Sequence, residues 1–239
     1  MRKFKKVTSF SKGIKKIGTY AFGECEKLNS IDMVLDSEVE IEDGAFSECK
    51  SLADENGFVI LRDILYGYFG AGGDVVIPDG IAIIDDFCFM KCDPHQRDNV
   101  ELKSIRFPKS LKKIGAFAFQ NCQSLKEIII PDEVTEIGKH AFEKCKSLEK
   151  VALSQQLVKI DDYAFSTCNV GELELPNSLT VIGEGAFMNN KMQKVNLPDN
   201  IEVISKKAFV GQLYAFFTLY VKKDCTAEKM QNHMQKKIK

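Results

Sequence analysis

The chain has 239 residues with 33 basic and 34 acidic side chains, so its formal net charge is −1. Because neither positive nor negative charge is in excess, the composition argues against strong electrostatic binding to nucleic acid or anionic lipid. No apolar run reaches the roughly 18 residues of a membrane span. The basic segment 1–7 also lacks the apolar stretch of a secretory signal. We therefore expect neither a nucleic-acid partner nor insertion into a membrane.

After residues 1–13, which are predicted to cap the first coil, a pattern of about 23 residues recurs eight times between residues 14 and 213. Each copy holds a small residue followed by Phe, with Ile four residues before the small residue. Cys lies three residues after the Phe in the first six copies, and Asn190 and Gln212 replace it in the last two. The eight dipeptides are Ala21-Phe22, Ala45-Phe46, Cys88-Phe89, Ala118-Phe119, Ala141-Phe142, Ala164-Phe165, Ala186-Phe187 and Ala208-Phe209. Several fixed positions shared by eight copies indicate a stack of similar coils.

Each copy contains two recognisable segments. The first, L-x-x-I-x-L-P as in 125–131, alternates like a short strand, and its Pro ends the strand because Pro lacks an N–H. The second, I-G-x-x-A-F, turns the chain back. Its glycines, at Gly18, Gly115, Gly138 and Gly183, indicate either an unusual backbone angle or a close approach of neighbouring coils. Because one coil cannot bury its own apolar side, the copies should stack into a β-rich repeat solenoid with continuous Ile, Phe and Leu columns.

Two spacings, of 43 and 30 residues, exceed the period and indicate insertions near 53–73 and 93–99. In the first, apolar segments 58–61 and 64–69 flank Arg62-Asp63, which predicts a β-hairpin followed by a glycine turn. Its aromatic residues, including Tyr66 and Tyr68, either form a binding knob or pack the hairpin onto adjacent coils. Packing is the favoured alternative, because large aromatic side chains are more often buried. The second insertion is polar and is predicted to be a surface loop.

The six repeat cysteines allow three interpretations. Zinc binding is disfavoured because Cys88 and Cys92 lack a second ligand pair. Disulfides are disfavoured because a parallel ladder of side chains does not readily provide the Cβ geometry they need. The favoured interpretation is a column of buried free thiols that act as small apolar fillers. Cys225 lies outside the ladder and is predicted to be the most exposed thiol.

The C-terminal segment 214–239 is predicted to be a second cap. Met230, Met234 and Ile238 recur at four-residue spacing, which predicts a short helix. The three histidines are far apart in the chain, and no Ser-His-Asp arrangement, phosphate loop or HExxH motif is visible. We therefore expect no catalytic site, no metal and no cofactor.

The pattern C-x-x-L-x-x-I-x-L-P-x-x-L-x-x-I-G-x-x-A-F resembles the BspA-like, or Treponema-type, leucine-rich repeat, most closely in 122–142 and 145–165. The resemblance covers about residues 14–213. It implies a right-handed leucine-rich-repeat coil and a single domain over 1–239. It also implies a non-enzymatic, monomeric protein-binding scaffold, of the kind found in bacterial cell-surface or secreted adhesion proteins. The alternative is an intracellular interaction scaffold, which the free thiols and the absence of a visible signal sequence favour.

The partner is expected to be a protein or glycoprotein that binds the concave face of the coil. On each predicted strand, the residue between the two inward ones points outward; this row includes Arg106, Ile129, Ala152, Glu174 and Asn196. Ile129 and Ala152 should form a small apolar spot between the two charged residues. The preceding row, Glu127, Lys150, Glu172 and Lys194, alternates in sign and predicts cross-strand ion pairs.

Overall fold

We describe the protein from a computed structural model. The structure describes residues 14–31, 39–89, 92, 100–213 and 216–221. The predicted N-terminal cap 1–13, the polar insertion 93–99 and the helix predicted within 222–239 lie outside these residues.

The chain winds into a β-solenoid of about eight turns, which confirms the predicted repeat fold. Most coils contribute a two-residue strand that ends in Ile and a longer strand on another side. The short strands are β1 (Lys16–Ile17), β2 (Glu40–Ile41), β6 (Ile83–Ile84), β8 (Lys113–Ile114), β10 (Glu136–Ile137), β12 (Lys159–Ile160), β13 (Val181–Ile182) and β15 (Val203–Ile204). The longer ones are β3 (Phe58–Leu61), β4 (Ile64–Tyr68), β5 (Gly73–Val76), β7 (Leu102–Arg106), β9 (Glu127–Ile129), β11 (Lys150–Ala152), β14 (Lys194–Asn196) and β16 (Thr218–Tyr220). A 3₁₀ turn spans Lys50–Leu52.

Six of the short strands join the hairpin strands β4 and β3 in an eight-stranded sheet with the order β15-β13-β12-β10-β8-β6-β4-β3. All its neighbours are parallel except β3 and β4, and the isoleucines stay in register from coil to coil, as in the pairing of Ile137 with Ile114 and Ile160. Strands β1 and β2 form a separate parallel pair. The longer strands on the other side form three separate parallel pairs, β5–β7, β9–β11 and β14–β16.

The predicted hairpin is confirmed as the antiparallel pair β3–β4, with Arg62-Asp63 at the turn. The hairpin is part of the stack, because β4 pairs in parallel with β6 and places Leu65 opposite Ile84. Tyr66 and Tyr68 are buried rather than presented as a knob. The ring of Tyr66 meets Phe46 edge-on, and that of Tyr68 stacks on Phe89 with centroids 5.0 Å apart. Neither ring is accessible to a partner, so the favoured packing alternative describes this hairpin.

The interior is a set of columns that run along the stack. From Phe89 to Phe209 the repeat phenylalanines stack with ring centroids 4.6–5.5 Å apart and are almost fully buried. Burial of each ring stabilises the fold by roughly 1.5–3 kcal/mol. The buried side chains divide into a small N-terminal cluster, from Ile17 to Tyr66, and a larger cluster that continues to Phe209.

Close approach of coils explains the repeat glycines. A Cβ at Gly183 would lie 2.5 Å from the backbone nitrogen of Asp162, and one at Gly138 would lie 2.7 Å from the carbonyl carbon of Gly115. Neither glycine has a positive φ. The left-handed angle occurs two residues later in the turn, at His140 after Gly138 and at Gly185 after Gly183. Of the two explanations offered by the sequence, the close approach therefore applies at these two positions.

Candidate protein-binding surface

The longer strands β5, β7, β9, β11, β14 and β16 make up what we call the strand face. Along these strands the side chains alternate between the core and solvent. Ile128 and Val195 point inward and are buried, whereas Ile129 and Asn196, one residue later, are exposed. Stacking of the coils therefore sets the outward residues in a row across the face.

The five outward residues predicted from the sequence are all exposed. Ile129 and Ala152 are direct partners in the register of β9 and β11, so the structure places these two side by side. Arg106 ends β7, and Asn196 ends β14. Glu174 lies in the segment 171–175, which has no strand assignment. Ile129 is 73% exposed, the largest exposed fraction of any aliphatic residue on this face.

The sequence pattern did not predict one outward residue of the strand face, Tyr220. Tyr220 is 54% exposed and lies opposite Asn196 in the register of β16 and β14. Residues 214–239 were predicted as a cap, yet 218–220 continue the strand face beyond the eighth coil. The alternation of Leu219 and Val221 was the available signal, but no Ala-Phe copy follows it.

The predicted cross-strand ion pairs are not formed. Glu127 and Lys150 are neighbours in register. Even so, no ion pair between described residues joins them, nor does one involve Glu172 or Lys194. Ion pairs between coils occur on the short-strand side instead, for example Lys159 with Glu136 at 3.0 Å. Within the described residues, the charges of Glu127, Lys150, Glu172 and Lys194 therefore remain open to solvent or to a partner.

An open groove of about 840 Å³ lies on the strand face beside Ile129 and Ala152. It spans β9, β11 and the segment 171–175, and its lining also includes Glu127, Glu149, Lys150, Glu172, Glu174 and Lys191. The groove coincides with a change in repeat length. Leu153 lies eight positions after Cys145, whereas the corresponding Leu175 lies only seven positions after Cys168. This shortening accompanies the loss of strand pairing at 171–175, between β11 and β14.

A second half-exposed row follows the turns that precede each Ala-Phe. The rings of Phe87, Phe117, His140 and Tyr163 stack with centroids 4.6–5.0 Å apart. Nδ1 of His140 lies 2.9 Å from a carboxylate oxygen of Glu143. In the sequence this repeat position holds Phe, His or Tyr in successive coils, but the sequence did not show that the rings would touch. Because the stacked rings cover one another's faces, this row offers a partner mainly ring edges.

Residues 97–214 match the family described as BspA type leucine rich repeat region, in six copies. The chain is a BspA-type leucine-rich repeat protein. The solved leucine-rich repeat protein of T. pallidum is 25% identical, with a TM-score of 0.53 over 70% of this chain and 86% of that one. A leucine-rich repeat protein of Bacteroides ovatus is 29% identical, with a TM-score of 0.40 over 78% of this chain and 47% of that one. No curated protein matches the sequence significantly.

Repeat scaffolds of the BspA type are typically non-catalytic and bind proteins. Within the described ranges no cluster of three or more His, Cys, Asp or Glu side chains is placed to hold a metal ion. In the same part of the chain, no helix has the length and apolar character of a membrane span. The strand face and its groove form the candidate protein-binding surface of this BspA-type repeat.

Proposed function

We propose that the protein is a non-catalytic, monomeric adhesion scaffold, presented at a bacterial cell surface or secreted, which folds as one domain and binds a protein or glycoprotein. The partner contacts the strand face at Ile129 and Ala152, with Arg106, Glu174 and Asn196 around them. The observation that carries this proposal is the exposure of Ile129 on strand β9 beside an open groove. Apolar anchors surrounded by polar residues are typical of the centres of protein interfaces.

The family supports the adhesion part of the proposal, because BspA-like repeats are common in surface proteins of host-associated bacteria. Surface protease shaving of native cells, with a cytosolic protein as control, tests the location. We expect the chain to be cleaved on intact cells. Protection of the chain together with the cytosolic control would contradict the surface assignment.

Binding by the strand face is tested with Ile129→Asp and a matched exposed aliphatic. Val158 is 43% exposed and precedes β12 on the short-strand side, so Val158→Asp introduces the same charge away from the groove. Immobilised host matrix proteins are the probes. We expect Ile129→Asp to abolish capture while the circular dichroism spectrum and the Val158→Asp control stay unchanged. Equal capture of matrix proteins by Ile129→Asp and Val158→Asp would overturn the assignment of the strand face as the binding surface.

The second candidate is an intracellular interaction scaffold. It is favoured by the cysteines, because all seven that the structure describes are buried and none of the seven is in a disulfide. Free thiols are usual in reducing compartments. The shaving experiment separates the two candidates, since an intracellular scaffold stays protected on intact cells.

A further inference from the structure

The groove beside Ile129 contains backbone groups that no strand neighbour satisfies. In parallel ladders, alternate residues direct their N–H and C=O groups toward opposite neighbours. The C=O of Ala152 accepts the N–H of Ile130 at 2.8 Å, so Ala152 faces β9. Val151 consequently directs its backbone groups toward 171–175. Among the described residues, β11 pairs with β9 alone. Both Val151 and the segment 171–174 line the groove.

The side chains of the groove carry an excess of negative charge. Four carboxylates line it against two lysines, Lys150 and Lys191; the acidic residues are Glu127, Glu149, Glu172 and Glu174. Apart from the amide of Asn169, which donates to Glu149 at 2.8 Å, the described residues offer these carboxylates no side-chain partner. A ligand with basic side chains would therefore find accessible carboxylates.

We propose that this groove binds an extended segment of a partner polypeptide in which an apolar side chain is flanked by lysine or arginine. The apolar side chain lies over Ile129 and Ala152, and the basic side chains reach Glu172 and Glu174. The peptide backbone bonds to the free N–H and C=O groups at Val151 and 171–174. Hydrogen bonds to the peptide backbone supply affinity, and the side-chain contacts supply selectivity. This inference rests on the proposed binding function and specifies the chemistry of its partner.

Three capped nine-residue peptides test the proposal by calorimetry with the full chain. One alternates lysine and valine, the second alternates glutamate and valine, and the third is the lysine peptide with alternate backbone nitrogens methylated. We expect the lysine peptide to bind and the glutamate peptide not to bind. Methylation should weaken binding by about tenfold, because it removes the backbone donors. Equal binding of the first two peptides, or no binding of the lysine peptide, would overturn the proposal.

Charge reversal locates the site. Glu172→Lys and Glu174→Lys should each weaken binding of the lysine peptide by about tenfold. Glu133→Lys is the matched control, because Glu133 is exposed in the turn after β9 and does not line the groove. An equal loss in the control would show nonspecific charge attraction and would refute the site. If Ile129→Asp abolishes capture of a matrix protein but the lysine peptide does not bind, the peptide inference fails while the binding function stands.

Discussion

The side-chain amide of Asn190 donates a hydrogen bond of 2.8 Å to the backbone carbonyl of Phe165 in the preceding coil. The thiol of Cys168 makes the same contact with the carbonyl of Phe142 at 3.1 Å. Gln212 repeats it, with its amide 2.8 Å from the carbonyl of Phe187. Cys, Asn and Gln therefore share one role at this repeat position, which is to donate a hydrogen bond to the coil before. The interpretation of these cysteines as apolar fillers alone was incomplete.

Loss of this donor should destabilise the solenoid even when the replacement is apolar. Cys145 donates to the carbonyl of Phe119 at 3.1 Å and is fully buried. Cys145→Val keeps an apolar side chain of similar size but removes the thiol donor from that carbonyl, which still accepts the N–H of Cys122 at 3.2 Å. Loss of the one hydrogen bond should cost about 0.5–1.5 kcal/mol. Cys145→Ser retains a donor and should be less destabilised than the valine variant. Urea denaturation measures both changes, and a neutral valine variant would restore the filler interpretation.

The buried thiols should be unreactive in the native state. Burial raises the pKa of Cys145 and Cys168 well above the ordinary thiol range, and raises that of Cys49 to about 12. Little thiolate exists at neutral pH, and reagent access is blocked. With a colorimetric thiol reagent at pH 8, we expect these cysteines to react only after urea is added. Cys225, predicted to lie outside the ladder, should react rapidly, and Cys225→Ser should remove that fast phase.

The repeat pattern predicted the fold well because each of its constant positions has one structural role. Ile, a small residue and Phe recur at fixed positions in all eight copies, so periodicity alone indicated the stack and its inward rows. The hairpin was also predicted, since Arg62-Asp63 separates two apolar segments. Its integration into the eight-stranded sheet was not, because the pairing of β4 with β6 depends on contacts between coils.

The candidate site was only partly predictable, because it also depends on contacts between coils. Alternation along one strand showed that Ile129 and Ala152 point outward. The break in pairing at 171–175 accompanies a one-residue difference between adjacent coils, and the sequence pattern alone did not show it. The prediction of ion pairs from the alternating charges was wrong. Glu127 and Lys150 are neighbours in register, but register alone does not bring long side chains into contact.

An added methyl group at a repeat glycine should destabilise the stack. A Cβ at Gly183 would lie 2.7 Å from Oδ1 of Asp162, a carboxylate that accepts the N–H of Glu184 at 2.7 Å. Gly183→Ala must therefore separate two coils or break this bond, at a cost of about 1–3 kcal/mol or more. Gly171→Ala is the matched control, because a Cβ there meets nothing closer than 4.0 Å. Thermal unfolding should show a lowered midpoint for Gly183→Ala alone. Equal midpoints would contradict the packing argument.

The carboxyl group of Asp85 should make stability fall as the pH rises from about 4 to 7. Desolvation by burial raises its pKa from 3.8 to about 7, against hydrogen bonds from the N–H groups of Gly44 and Asp86, and the nearby Asp43 and Asp86 carboxylates add to the rise. The folded chain therefore holds a proton that the unfolded chain releases in this range, so the stabilising contribution is complete below pH 4 and lost above pH 7.

Asp85→Asn tests this linkage because the amide oxygen can still accept the Gly44 N–H, which lies 2.8 Å from the native carboxylate. The variant cannot ionise, so its stability should depend less on pH between 4 and 7. At pH 8 it should exceed the native protein by at least about 1 kcal/mol. Urea titrations at several pH values measure the difference, with the exposed Glu133→Gln as a control for lost charge. Parallel pH profiles for Asp85→Asn and the native protein would show that Asp85 is ionised in both the folded and unfolded states at neutral pH.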